Sequence, residues 1–447
     1  MSLTRRLVRL VRDKRVTEPD LEAAALFVLD AIACAVAGTV SPQGRILRQR
    51  SRAGGDSAAQ RAFTLGGLAH ILEIDDLHRE SVTHPGCVVV PAAWSVAAER
   101  NLDGQAMLRA VLHGYEAGTR VGIAVGQEHY RVWHNTSTCG PFASAMAVAT
   151  LLELSEEAAV WALGNAGTQS CGLWQFLEEG AMSKHLHTAR AAEAGLTGAE
   201  LAALGFTGAE RILEGEKGLF RAACPDAQPQ RMFQGWGGPW QLHCSSIKLW
   251  PSCRHTHAPI DVALRLREEL HRGNGCALSM GKGAVPVAPL ASDDVIAICV
   301  ETYEAALDLC NRPDPDSLYE AKFSLQHCVA AGLGEGIVDL TSFDSAARSR
   351  LAGLRGLVQV STADDFEDAY PECWGARITV HRQGTAPVSK ELPCAKGDPE
   401  AAVSPDEIRA KAVMLMAHGG VEPETAEDLV CRVLALPGGG ALPPLPI

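Results

Sequence analysis

A chain of 447 residues, 47% hydrophobic and 21% charged, is long enough to bury a core in two or three domains and argues against a disordered or membrane-embedded protein. The formal net charge of −13 argues against nucleic acid or an anionic membrane surface as partner, because both reward clustered Lys and Arg. An anionic small molecule stays open, provided that cations converge locally.

The start, Met1 to Arg15, carries six basic residues without an apolar run of signal-peptide length. The fourteen cysteines are scattered from Cys34 to Cys431 with no C-x-x-C pair and no metal-ligand spacing. They read as reduced, buried apolar residues, and a cytoplasmic protein is expected. Thr17-Glu18-Pro19-Asp20 supplies a helix start, and Leu21 to Val36 continues at helical spacing to a stop near Gly38.

Glu73, Asp75 and Asp76 precede a His84-Pro85-Gly86 turn that opens an apolar helix from Val88 to Glu99. A helix N-terminus favours anions, which would place His84 near a substrate carboxylate; a capping turn with solvated acids explains the same residues. Gln105 to Gly122 is the next helix. Val132 to Leu152 lacks Asp, Glu, Lys and Arg, yet His134, Asn135, Thr136, Ser137, Thr138, Gly140 and Pro141 exclude a continuous lipid-facing span. A polar turn entering a buried helix near Pro141 is expected, followed by a helix from Glu156 to Ala166. Small residues in these runs predict closely packed axes.

Lys184, His185, His187 and Arg190 form a cationic patch expected between two helices; an exposed basic turn is the plain alternative. Lys248 to His257 crowds Trp250, Pro251, Cys253, Arg254, His255 and His257 into ten residues. His255-Thr256-His257 has no second pair at metal-like spacing, so no metal is expected. Beyond it come a helix from Ala258 to Glu269 and a Gly/Pro-rich loop from Arg272 to Leu290. Strands follow at Val295 to Glu301, Leu357 to Thr362, Ala376 to Arg382 and Val388 to Leu392. Helical spacing returns at Pro405 to Ala417 and Glu424 to Leu434, before a Gly/Pro tail expected to be mobile. Gly275 to Gly283 lacks the spacing and the Ser or Thr of a phosphate loop, and there is no nucleophile elbow.

The expected fold is mainly α with an inserted α+β domain: 1–247 and 397–447 form a large helical domain, and 248–396 a smaller one. Several runs, Trp133-His134-Asn135-Thr136-Ser137-Thr138-Cys139-Gly140, Ser183-Lys184-His185-Leu186-His187, Trp250-Pro251-Ser252-Cys253 and Lys396-Gly397-Asp398-Pro399 among them, resemble the MmgE/PrpD family. That family includes 2-methylcitrate dehydratase, cis-aconitate decarboxylase and iminodisuccinate epimerase.

The resemblance implies a lid-like inserted domain, an active site between the domains, a homodimer, and no metal or other cofactor. Carried over by motif, the family's catalytic histidines fall on His84 and His134 and its lysines on Lys184 and Lys248, with Glu73 as the accompanying carboxylate; the residues themselves offer Asp76, Arg254, His255, His257 and His327 for substrate contact. Two positions depart from the family pattern. Glu73 stands where the family has aspartate, and His327 where its decarboxylase has tyrosine.

Lysines would meet charge developing beside a carboxylate, Arg254 would hold a second carboxylate, and His84 and His134 would exchange protons. The expectation is a cofactor-independent dehydratase-type lyase for a hydroxylated di- or tricarboxylate such as 2-methylcitrate. An epimerase of an imino- or amino-linked dicarboxylate, or a non-catalytic carboxylate-binding relative, are the alternatives.

Overall fold

The computed structural model describes residues 1–272 and 294–447. The loop expected from Arg272 to Leu290 lies outside the described residues beyond position 272. The chain divides into two compact units, Met1–Ile247 with Val403–Ile447, and Lys248–Ala402.

The first unit opens with α1 (Leu3–Asp13) and α2 (Glu18–Gly38), followed by α3 (Pro42–Gly54) and α4 (Ala58–His70). The Thr17 capping box starts α2, whose Leu21, Val28, Leu29 and Ile32 are buried. This helix is long and apolar enough to cross a membrane, but its most apolar window is 83% buried within the protein, as a core helix would be.

A loop carrying the two-residue strand β1 (Leu77–His78) leads into α5 (Gly86–Glu99) and α6 (Gly104–Ala124). The short α7 (Gln127–Tyr130) precedes α8 (Asn135–Leu151) and α9 (Glu156–Gly167), and then come α10 (Gln175–Glu179), α11 (Ser183–Ala203) and α12 (Leu219–Ala223). Strand β2 (Ser245–Ser246) pairs antiparallel with β1, so the unit is not wholly helical. The small residues do bring axes together: a Cβ on Gly195 of α11 would lie 2.0 Å from Ser144 Oγ and 2.3 Å from the Pro141 carbonyl of α8.

Two helix starts differ from expectation. Helix α8 begins at Asn135, not near Pro141, so the polar residues 135–138 form its first turn, with His134 as N-cap. Helix α11 begins at Ser183, which puts Lys184 in a helical first turn instead of a connecting one.

The second unit contains α13 (His257–Arg272), β3 (Val295–Thr302), α14 (Glu304–Cys310), α15 (Leu318–Ala321), α16 (Leu325–Glu335), α17 (Ser345–Arg350), α18 (Ala352–Arg355), β4 (Val358–Thr362), α19 (Asp364–Ala369), β5 (Ala376–Arg382) and β6 (Val388–Leu392). Its sheet has the order β4-β3-β5-β6, with β3 and β4 parallel and the other neighbours antiparallel. The parallel pair requires the helical crossover that α14 to α18 supply. Ile298, Val300, Ile378 and Val380 of the sheet bury against Ile260, Leu266, Val329 and Leu333 of α13 and α16.

The chain then rejoins the first unit through α20 (Pro405–His418) and α21 (Pro423–Leu434). The second unit extends to Ala402, whereas the sequence places its edge at 396. Lys411 of α20 is buried, 2.5 Å from Asp30 of α2, and donates to the Ile74 carbonyl at 2.7 Å. The tail is tied down at its start, where the Gly104 amide donates to the Gly440 carbonyl at 2.8 Å and Ala441 bridges to Asp103.

Candidate functional site

The loop between α4 and α5 builds one wall of a polar cluster inside the first unit. Glu73 adopts a left-handed backbone (φ 59°), as does the β-branched Val82 (φ 49°), conformations that cost energy and persist only where surrounding contacts impose them. Glu73, 1% exposed, receives Lys184 Nζ on both carboxylate oxygens, at 2.6 and 2.7 Å. Two charges removed from water in this way are stable only as a pair.

Asp75 Oδ2 lies 2.7 Å from His70 Nδ1 and 3.4 Å from His84 Nδ1. His84 Nδ1 donates to the Asp76 carbonyl at 2.7 Å, which fixes its proton on Nδ1 and leaves Nε2 as the basic nitrogen of the neutral ring. The His84 amide donates to Thr136 Oγ1 at 3.0 Å, joining this loop to the start of α8. The His70 ring meets His84 edge-on at 4.6 Å and stacks toward His134 at 6.1 Å.

His134 is set by backbone pairing with the 172–174 segment: its amide donates to the Gly172 carbonyl at 3.0 Å and Trp174 N to the Val132 carbonyl at 3.1 Å. Its ring lies 4.7 Å from that of Trp174, and its Nδ1 is 3.3 Å from His187 Nδ1. Burial first, then Lys184 and the neighbouring histidines, hold its pKa well below the ordinary 6.5. Burial, His70 and Lys184 push His187 down to about 4. The cationic patch expected around Lys184 therefore carries a neutral His187 at pH 7, and Arg190 turns to Glu193 at 2.5 Å on the exposed side.

Asp76, expected to touch substrate, spends its carboxylate within the protein. Oδ1 accepts from the Gly86 amide at 2.9 Å and Oδ2 from the Tyr115 hydroxyl at 2.9 Å. The N-terminus of α5 thus already has a carboxylate from its own loop. Burial, then Asp75 and Asp30, push the Asp76 carboxyl up to about 8. His70, Asp75 and His84 offer donor atoms within 4.8 Å of one another, but His70 Nδ1 is bonded to Asp75 and the His84 Nδ1 proton goes to the Asp76 carbonyl.

The candidates of the second unit have their own surroundings. Lys248 is buried. Arg254 forms an ion pair with Asp398, so its guanidinium already faces a carboxylate. His255 donates to or accepts from the Tyr303 hydroxyl at 2.8 Å and stacks on Trp374 at 4.4 Å with rings 6° apart. Burial, Arg254 and Lys248 lower it to about 3.

His257 is buried with Nε2 3.3 Å from the Ser252 carbonyl. His327 sits apart from that run in its contacts: Nε2 binds the Ser342 carbonyl at 2.8 Å, its ring lies 5.7 Å from Phe343, and burial lowers it to about 4.

The first unit therefore brings Glu73, His84, His134 and Lys184 into one cluster, and adds His70, Asp75, Trp174 and His187. His70 carried no local motif; its signal is the five-residue spacing to Asp75. Trp174 and Tyr303 had none.

The MmgE/PrpD N-terminal domain matches residues 5–232 and the MmgE/PrpD C-terminal domain residues 250–435. The chain belongs to the MmgE/PrpD family. Among curated relatives, a cis-aconitate decarboxylase of Aspergillus terreus is 30% identical over 288 residues, 57% of this chain and 58% of the relative. Cis-aconitate decarboxylases of Mus musculus and Homo sapiens are 27% and 26% identical, each over 65% of this chain and 57% and 58% of their own lengths. The match thus spans less than two thirds of each of these MmgE/PrpD relatives.

Proposed function

We propose that this protein is a lyase acting on a small di- or tricarboxylate through negative charge developed on carbon beside a carboxylate. The observation that carries this is the buried cluster in which the Glu73–Lys184 pair shares one site with the imidazoles of His84 and His134. Loss of carbon dioxide leaves an electron pair on carbon that a proton must then quench. Loss of water removes an α-proton and protonates the departing hydroxyl. Both need a fixed positive charge and proton carriers that are neutral before reaction.

Lys184, oriented by Glu73, supplies the charge; His84 presents Nε2, and His134 is held neutral by its surroundings. The names of the relatives favour decarboxylation of cis-aconitate or a similar unsaturated acid as the first reaction. Dehydration of a hydroxylated acid such as 2-methylcitrate is the second, favoured by His327 at the position where the decarboxylase has tyrosine.

Purified protein incubated separately with cis-aconitate, citrate and 2-methylcitrate separates them. Release of carbon dioxide selects the first, appearance of a conjugated alkene without it the second. Absence of turnover with all three would sink the lyase reading.

A further inference from the structure

We infer that His70 is a positioning residue which, by engaging Asp75, keeps that carboxylate from closing into an ion pair with His84 and so preserves His84 as a proton acceptor. This rests on the proposed role of His84. One oxygen, Asp75 Oδ2, faces two imidazole Nδ1 atoms at 2.7 Å (His70) and 3.4 Å (His84). Only the shorter distance is a good charge-assisted hydrogen bond. His84 instead spends its Nδ1 proton on the neutral Asp76 carbonyl at 2.7 Å.

His70 is fully buried on the last turn of α4, and its ring packs edge-on against His84, which holds the two imidazoles in this order around the carboxylate. Without His70, Asp75 has a short path to the His84 Nδ1–H. A carboxylate hydrogen-bonded there stabilises the doubly protonated ring. An imidazolium has no lone pair to accept a substrate proton.

The charged and titratable groups around His84 and the His70 ring packed on it come from several elements: Asp75 and Asp76 from the loop of His84, Cys87 from α5, Tyr115 from α6 through Asp76, His134 from α8 and His185 from α11 against His70, and Lys184 from α11 beside His134. Among them, Asp75 is the carboxylate whose oxygen lies nearest the His84 ring nitrogen in the contacts above. It is also the group that His70 restrains.

The test uses the full chain with histidine labelled with ¹⁵N, observed by NMR at pH 7.5, where the two ring nitrogens of His84 report its protonation directly. In the parent, Nδ1 is protonated and Nε2 is not. His70→Phe keeps the ring volume and removes the bond to Asp75; His84 is expected to become doubly protonated. His70→Asn places an amide N–H near the former Nδ1 and is expected to restore the parent pattern, as is His70→Phe combined with Asp75→Asn.

In the turnover assay kcat of His70→Phe falls about ten-fold or more with KM little changed, and His70→Asn recovers most of it. An unchanged His84 pattern in a folded His70→Phe protein overturns the inference. The predicted NMR change in a protein that turns over no carboxylate leaves the His70 brace standing and removes the lyase instead.

Discussion

Lys184 reaches both carboxylate oxygens of Glu73 from the first turn of α11, across 111 positions of sequence, with neither side chain more than 6% exposed. Breaking such a pair leaves one charge in the interior without its main partner, at a cost of about 3–5 kcal/mol. Glu73→Gln and Lys184→Met should each lower the urea midpoint accordingly. Glu73→Asp keeps the charge but withdraws it by one methylene, and should fold with a smaller loss while lowering turnover more than stability.

The Asp30–Lys411 pair lies under the same loop. Lys411→Met removes both the counter-charge of Asp30 and the donor to the Ile74 carbonyl, and should destabilise by about 3–5 kcal/mol. Pairing it with Asp30→Leu removes the stranded carboxylate and should recover much of that stability in denaturant unfolding. Hydrogen exchange at Glu73–Asp76 should remain faster in the double variant, because Ile74 still lacks its donor.

Asp76 sets a pH dependence of unusual sign. Its folded carboxyl is raised to about 8 from an ordinary 3.8, so between those values the folded protein binds more protons than the unfolded chain. Its contribution to stability is fully present below pH 3.8 and is lost as pH rises through about 8, with a slope of at most about 1.4 kcal/mol per pH unit. Asp76→Asn, which cannot titrate, should flatten this part of the stability profile between pH 5 and 8 in parallel unfolding series.

His134 predicts the acid side of the activity profile. Because its pKa is held well below 6.5, it stays neutral at pH 6, and turnover that depends on it should persist there. The corresponding fall in kcat/KM appears only in more acid solution. His134→Gln should lower kcat by about a hundred-fold and remove that limb from the pH–rate profile.

Long periodic helices such as α2, α6 and α9 were legible because their apolar spacing is continuous, and the four strands because alternation and turn residues frame them. Helix α1 was hidden by its basic residues, although Leu7, Val8 and Val11 form a buried stripe. Helix α4, with His70 on its last turn, lies outside the elements that the sequence pattern predicts.

Of the site, the residues carried in compact motifs were visible: Glu73, His84, His134 and Lys184. Asp76 was visible too, but its chemistry was not. Whether a carboxylate faces a ligand or caps its own helix depends on where Tyr115 and the Gly86 amide end up, which sequence spacing does not encode. The first-turn positions of Asn135 and Lys184 were missed for a similar reason, since polar residues at a helix start read equally well as a turn.

The bond from Lys411 to Ile74 also sets an order of assembly. The two residues are 337 positions apart, so at about 5–20 residues per second a ribosome needs roughly 20–70 s between them. During that interval the whole second unit is made, while Asp30 and the Glu73 loop wait for their cation. A nascent or truncated chain ending before α20 would hold every catalytic candidate named here and still lack the lysine that anchors their loop.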